Sequence, residues 1–424
     1  MPKKLKDPLH NLLRRSEKYT KTDMVHFFSA NFWLNFSRII SVGTGMLLTV
    51  AFANLLTPEQ FGTYKYAIAS AGFVATFTLN GLGAAVMRAV AQGKKNVVPA
   101  VVRTAIFWSI PASIATLGIS FYYFAQGNSD LGYIFLFIAI SNTFATGLGT
   151  TKGIWVGLGD FKTPAIYGIP RILVPFIIIL LTIVITKNVV WIVLAYFASS
   201  TIASWLGYLW MLRRLKIHGS PEHVAETIRY GKQMSVLAFF QIGAGQIDQL
   251  LLWHFTTPAT LALYALALGP MGEAKNLINN FLSVSFRKIA SKTEEVLYKT
   301  LTLRLWQMFW VCAVMTAGYI VLVPFLFTYL FPKYIDAILV SQILALSILL
   351  LPRGLIDTFF VTHGQVKKRS AVILTSQGVR FALICGLIPL FGLWGAVAAI
   401  LLSELSTAII YLIVYLQGRK NALL

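Results

Sequence analysis

The stretch FSANFWLNFSRIISVGTGMLLTVAFANLL, residues 28–56, decides the class of this fold. Its 29 residues hold one ionisable side chain, Arg38. At about 1.5 Å rise per residue they make a helix of roughly 44 Å, enough to cross a hydrocarbon core of about 30 Å and reach both interfaces. Arg38 would lie roughly 15 Å in from the helix start. A guanidinium at that depth costs about 2.5–3.5 kcal/mol on insertion scales unless it faces protein or water.

The rest of the chain repeats this theme. Of 424 residues, 57% are hydrophobic and only 12% charged, and the mean hydropathy is +0.71. A soluble protein would carry about a quarter charged residues, so the composition predicts an all-α polytopic membrane protein. The net charge of +21 does not point to nucleic acid, because the basic residues gather in short loops between apolar segments. Cys312 and Cys385 both fall inside apolar segments, which speaks against a disulfide framework or a metal site.

Twelve spans are expected, at about 28–56, 61–85, 99–124, 131–157, 164–186, 189–212, 233–254, 260–286, 305–331, 337–361, 371–390 and 393–417. This divides the chain into a basic cytoplasmic tail (1–27), a six-helix lobe (28–213), a cytoplasmic linker (214–232), a second six-helix lobe (233–418) and a cytoplasmic C-terminus (419–424). Residues 1–27 show no separate apolar core or small-residue cleavage site, so the first span is expected to act as the insertion signal. Twelve spans put both termini on one side, and there the tail, alternate loops and C-terminus carry 26 Lys/Arg. The other side carries three: Lys65, Lys187 and Lys333. That asymmetry places both termini in the cytoplasm.

The halves echo one another. Thr57-Pro58, Tyr64 and Ala67 recur as Thr257-Pro258, Tyr264 and Ala267, and Gly159 and Lys162 recur as Gly364 and Lys367. With an even number of spans per half, this is a parallel repeat about an axis along the membrane normal, the plan of two-lobed transporters, with a site expected between the halves.

The passage Leu55-Leu56-Thr57-Pro58-Glu59-Gln60-Phe61-Gly62-Thr63-Tyr64, followed by Gly81-Leu82-Gly83 and Arg88, resembles the opening of polysaccharide flippases of the Wzx type. So do Gly159-Asp160-Phe161-Lys162 and Gln246-Ile247-Asp248-Gln249-Leu250-Leu251-Leu252. That family belongs to a superfamily that also contains multidrug antiporters and lipid II flippases, and Phe36-Ser37-Arg38 is similar to a first-helix arginine motif of the latter. The resemblance implies flipping of an undecaprenyl-pyrophosphate-linked oligosaccharide across a bacterial inner membrane. Polysaccharide polymerase and glycosyltransferases would be its partners, and no cofactor is implied.

Such a substrate asks for cations to meet the pyrophosphate. Arg38, Lys275, Arg353 and Arg380 lie at depth, with Arg103, Lys152 and Arg171 shallower, against Asp248, Glu273, Asp357 and Glu404. Arg38, Lys275, Arg353 and Arg380 are the candidate substrate-binding residues; Asp248 and Glu404 are candidate sites for a coupling cation or proton. Bland readings compete with these. Arg353 and Asp357, at i and i+4, can neutralise one another, and Asp248 can be buried in a salt bridge to another helix. Gly149, Gly153 and Gly157 read either as a hinge or as a close-packing stripe. No GxxxxGK[ST] loop or HExxH motif occurs, so neither ATP hydrolysis nor metalloprotease chemistry is supported. The rivals to a flippase are a multidrug or cation antiporter, which calls for acidic cavity residues, and a membrane polymerase or ligase, which calls for a larger external loop than any here.

Overall fold

The structure, a computed structural model, describes residues 24–160, 162–219, 222–243, 245–290, 294–363 and 365–423. The expected basic tail therefore lies outside the described residues up to residue 23, as does Gly364. Among the described residues the chain is helical and has no strand. In order the α-helices are α1 (Met24–Leu55), α2 (Pro58–Thr76), α3 (Leu82–Ala91), α4 (Val98–Ala125), α5 (Ser129–Gly149), α6 (Lys152–Gly157), α7 (Lys162–Thr186) and α8 (Val189–Leu215). They continue as α9 (Val224–Gly243), α10 (Ile247–Phe255), α11 (Pro258–Ala290), α12 (Glu294–Leu330), α13 (Ala337–Ala345), α14 (Arg353–Thr362) and α15 (Val366–Leu423).

Two compact units result. Of the described residues, one takes those of 24–51 and 74–239, the other those of 52–73 and 240–423. The second unit thus takes in α2, which precedes most of the first unit in the chain. Local contacts explain this: Asn54 Nδ2 donates to the Leu330 carbonyl at 2.9 Å, Lys333 Nζ donates to the Asn54 carbonyl at 2.7 Å, and Phe61 meets Tyr334 edge-on. The expected linker 214–232 is helical from Val224, and α9 belongs to the first unit as far as Phe239. There Arg88 stacks on Tyr230 and Lys94 pairs with Glu226 at 3.5 Å.

The packing is that of a protein in lipid. Along α4, Phe107, Ile114 and Phe121 are 69%, 62% and 72% exposed, whereas Ser109, Thr116 and Ser120 are at most 2% exposed. Small hydroxylated residues therefore face the neighbouring helix and large apolar ones face outward. Ser113 and Thr143 share a hydrogen bond of 2.6 Å, and Ser120 Oγ donates to the Gly132 carbonyl at 2.7 Å. Lipid offers no hydrophobic drive for helices to associate, so close backbones and interhelical hydrogen bonds hold the pair together.

Among the described residues, seven helices are long and apolar enough to cross a membrane, eight if the pair 337–350 and 353–362, bent by 41°, counts as one. Several expected spans are broken. The one expected at 61–85 stops at Thr76, where Asn80 Nδ2 and Thr78 Oγ1 both donate to the Ala75 carbonyl at 2.6 Å; side chains here satisfy a group the helix would otherwise use. Gly81 then passes α9, and a Cβ on it would lie 2.4 Å from the Ser235 nitrogen. The span expected at 131–157 breaks between α5 and α6, where Thr150 and Thr151 donate back to the carbonyls of Gly147 and Leu148. This separates the two readings of its glycines. Gly153 and Gly157 are packing glycines, since added Cβ atoms would sit 2.2 and 2.6 Å from the Gly83 and Met87 oxygens, while Gly149 has open space at the break. The span expected at 233–254 is α9 plus α10, and that at 337–361 breaks before α14 at Pro352, which cannot donate to a continuing helix.

The repeat is visible in hydrogen bonds. Pro58 and Pro258 each open a helix, the first position where proline is tolerated, and in each case the residue before it caps the turn. Gln60 N donates to Thr57 Oγ1, and Thr260 N to Thr257 Oγ1, both at 3.3 Å. Ala67 and Ala267 are both fully buried. The two helix starts touch: a Cβ on Gly62 would lie 1.8 Å from the Pro258 carbonyl oxygen. Gly62→Ala should therefore force the backbones apart and destabilise the protein by about 1–3 kcal/mol, the usual range for overpacking. A lowered melting temperature in detergent is the expected result; an unchanged one would contradict the close approach.

Candidate functional site

Three helices of the second unit enclose a cavity of about 370 Å³. Helix α11 supplies Lys275 and Asn279, and α14 supplies Arg353 and Asp357 from its first turn and a half. Helix α15 supplies two walls. It reverses at Gly392, whose φ of 56° is readily adopted only by glycine, and a Cβ on Gly395 would lie 2.0 Å from the Leu387 oxygen. The segment before this reversal contributes Ser376, Gln377 and Arg380; the segment after it contributes Ser403, Glu404, Thr407 and Tyr411. The spans expected at 371–390 and 393–417 thus face one cavity.

Three charge clusters line or support it. The Glu404 carboxylate lies between two cations, taking Lys275 Nζ at 3.1 Å on one oxygen and Arg353 Nη2 on the other. Asp357 accepts from Arg369 Nε and from the Tyr411 hydroxyl, each at 2.8 Å. Behind the wall, Asp248 on α10 accepts from the Tyr264 hydroxyl at 2.7 Å and lies 3.8 Å from Arg380 Nη2. Their ion-paired side chains are between 3% and 39% exposed, so water does not fully screen them, and each carboxylate is matched by a cation.

The cavity nevertheless carries more positive than negative charge. Three cations line it (Lys275, Arg353, Arg380) against two carboxylates (Asp357, Glu404). Three polar atoms of its wall are buried without a hydrogen-bond partner: Ser376 Oγ, Gln377 Oε1 and Arg380 Nε. Ser376 is 5% exposed. Buried polar groups are nearly always satisfied, and one left unpaired costs about 1–3 kcal/mol. Two donors and an acceptor thus fall on one turn and a half of α15 in the wall of the cavity.

The structure brings together five of the six residues singled out from sequence: Lys275, Arg353 and Arg380 with Asp248 and Glu404. Arg38 lies half-buried on α1, in the first unit. The expected Arg353–Asp357 neutralisation does not form. Residues one turn apart on α14 instead turn to different neighbours, Arg353 to Glu404 and Asp357 to Arg369. Asp248 is not an isolated carboxylate either; the salt bridge to another helix is the reading that holds. Sequence reasoning missed Arg369, which sits in the basic run Lys367-Lys368-Arg369 and reads there as a topology signal, and it missed Tyr411. Tyr264 had been marked only by the repeat.

A family model described as polysaccharide biosynthesis protein matches residues 29–291. No curated protein sequence matches. Among solved structures, one titled "Lipid II flippase MurJ, inward closed conformation" is similar with a TM-score of 0.72 at 12% identity, over 91% of this chain and 87% of that one. An inward-facing multidrug resistance MATE family transporter of the MOP superfamily gives a TM-score of 0.66 at 14% identity, over 92% and 98%. Its outward-facing form gives 0.62 at 14% identity, over 92% and 96%. At such identities the likeness establishes the fold.

The Lys275–Glu404–Arg353 cluster makes a direct prediction. Glu404→Gln leaves two cations facing each other and should destabilise the protein by about 3–5 kcal/mol. Replacing all three residues by Met should restore most of that loss, because no unpaired charge remains. Melting in detergent reads both, and a Glu404→Gln variant as stable as wild type would show that the cluster is not coupled.

Proposed function

We propose that this chain, which belongs to the polysaccharide biosynthesis protein family, translocates an oligosaccharide linked to undecaprenyl pyrophosphate across the bacterial inner membrane by alternating access. It is a multi-pass membrane transporter and not an enzyme, in keeping with its family and with neighbours titled as flippases and transporters. One observation carries the substrate reading: the second unit's cavity has a cationic surplus and three unpartnered polar atoms on α15. A diphosphate fits that demand. Guanidinium groups bind phosphate oxygens bidentately, with charge-assisted bonds stronger than neutral ones. A cation antiporter would call for the opposite balance, an excess of carboxylates.

In this reading Arg380 and Ser376 donate to the phosphate oxygens. Lys275 and Arg353 exchange part of their contact with Glu404 for the ligand. Asp248 and Glu404 hold the cations in place without substrate, and a proton or cation taken up by either frees its partner, which couples the site to a gradient. Arg38, a guanidinium at depth on α1, is proposed as a further pyrophosphate contact. The basic loops support cytoplasmic termini, and polymerase and glycosyltransferases would act beside the transporter.

The test is flipping of a lipid-pyrophosphate oligosaccharide in reconstituted vesicles. Removing a charged hydrogen bond costs about 1.5–3 kcal/mol, so Arg38→Ala and Arg380→Ala should each slow flipping by roughly 10–100-fold, and Arg38→Lys should retain part of the rate. Asp248→Asn should flip without responding to an imposed gradient. Wild-type rates for both alanine variants would overturn the proposal.

A further inference from the structure

Arg353 has a second face. Besides lining the polar cavity, it lines a groove of about 780 Å³ in the second unit. The groove is apolar: Trp306 and Phe309 of α12 form one bank, Pro352 and Ile356 the floor, and Leu412 of α15 the other bank. The span at 337–362 bends by 41° just before Arg353, and Pro352 at that bend lines the groove. Trp306 is 58% exposed, so the groove opens sideways toward lipid.

Its position along the membrane follows from the sequence. The break at 351–352 falls at the middle of the bent span, while Trp306 stands near the start of the span at 301–330 and Leu412 near the end of that at 367–417. The groove therefore runs from mid-membrane toward the side where the basic residues Arg304, Arg419 and Lys420 lie.

We infer that this groove holds the isoprenoid chain of a polyprenyl pyrophosphate whose phosphates occupy the adjoining cavity, with Arg353 at the junction of the two. The assignment rests on the reading of the substrate as a lipid pyrophosphate. A phospholipid of the bulk bilayer keeps its phosphate at the interface and has no use for a cation at the inner end of its chain. A lipid whose phosphates are drawn to Lys275, Arg353 and Arg380 at mid-membrane must let its tail leave at that depth, and the tail leaves through an apolar opening that begins at the same arginine. The groove lies in the half of the membrane on the basic-loop side, which makes it the loading route for substrate from that leaflet.

Photolabelling tests this. The purified protein in nanodiscs is given a polyprenyl pyrophosphate with a diazirine on its isoprenoid chain, and adducts are mapped by mass spectrometry. Adducts should concentrate on the peptides containing Trp306–Phe309 and Ala408–Leu412, and unlabelled polyprenyl pyrophosphate should compete where phosphatidylglycerol does not. Ala408→Trp, which fills the groove, should lower them about tenfold, equivalent to about 1.4 kcal/mol. Ile114→Trp, on the outward face of α4, should leave them unchanged. Should Ala408→Trp fail to fold, Leu412→Trp repeats the test, and the competition on the unaltered protein needs no variant. Adducts spread over all outward-facing helices, or equal competition by phosphatidylglycerol, would make the groove ordinary lipid contact and overturn the assignment. Groove labelling by a protein that does not flip the substrate would reject the transport reading and leave the groove standing; flipping with labelling elsewhere would do the reverse.

Discussion

A charge placed in a low-dielectric interior must find its opposite, and the second unit is arranged around that constraint. Glu404 between Lys275 and Arg353, Asp357 against Arg369 and Tyr411, and Asp248 against Tyr264 and Arg380 tie α10, α11, α14 and both segments of α15 to one another. Removing one partner from such a pair is more damaging than never having had it, because the other charge stays buried and uncompensated. Charges under this constraint are also responsive. Under the proposed function, an anionic ligand, or a proton on a carboxylate, would change which pairs form, and the helices that carry them would follow.

In the second unit, helix breaks accompany those charges: Pro352 interrupts a span that hydropathy alone would draw as continuous, and the reversal at Gly392 turns both segments of α15 onto one cavity. In the first unit, Asn80 with Thr78, and Thr150 with Thr151, interrupt two more. Irregular backbone at membrane depth is tolerated only where protein or a cavity satisfies it, and here hydroxyl and amide side chains do so locally. Arg353, just after the break at Pro352, lines both the polar cavity and the apolar groove. A lipid-linked sugar has the same division in one molecule.

The class of fold was legible from the first 60 residues, because a run of 29 residues with one charge has few destinations. The Thr-Pro repeat was legible too, and it survives down to matched capping bonds at Thr57 and Thr257. The breaks were not, since one threonine or asparagine in an apolar run is compatible with either a continuous or an interrupted helix. Of the site, the depth-placed charges were found by their cost in lipid, which is a property of single residues. Their partners were not: Arg353 with Asp357 is what i, i+4 spacing suggests, and only the fold brings Glu404 from 51 positions away. Arg369 was hidden because a basic residue at a helix end already has an explanation in topology.

The proposed function requires the cavity of the second unit to receive a pyrophosphate. The most direct measurement is an experimental structure of the protein in nanodiscs with a polyprenyl pyrophosphate bound. Phosphate density is expected within hydrogen-bonding distance of Arg380 Nε and Ser376 Oγ, with the Glu404 carboxylate drawn away from Lys275 or Arg353. Phosphate density outside the cavity, with Ser376, Gln377 and Arg380 unchanged, would contradict it.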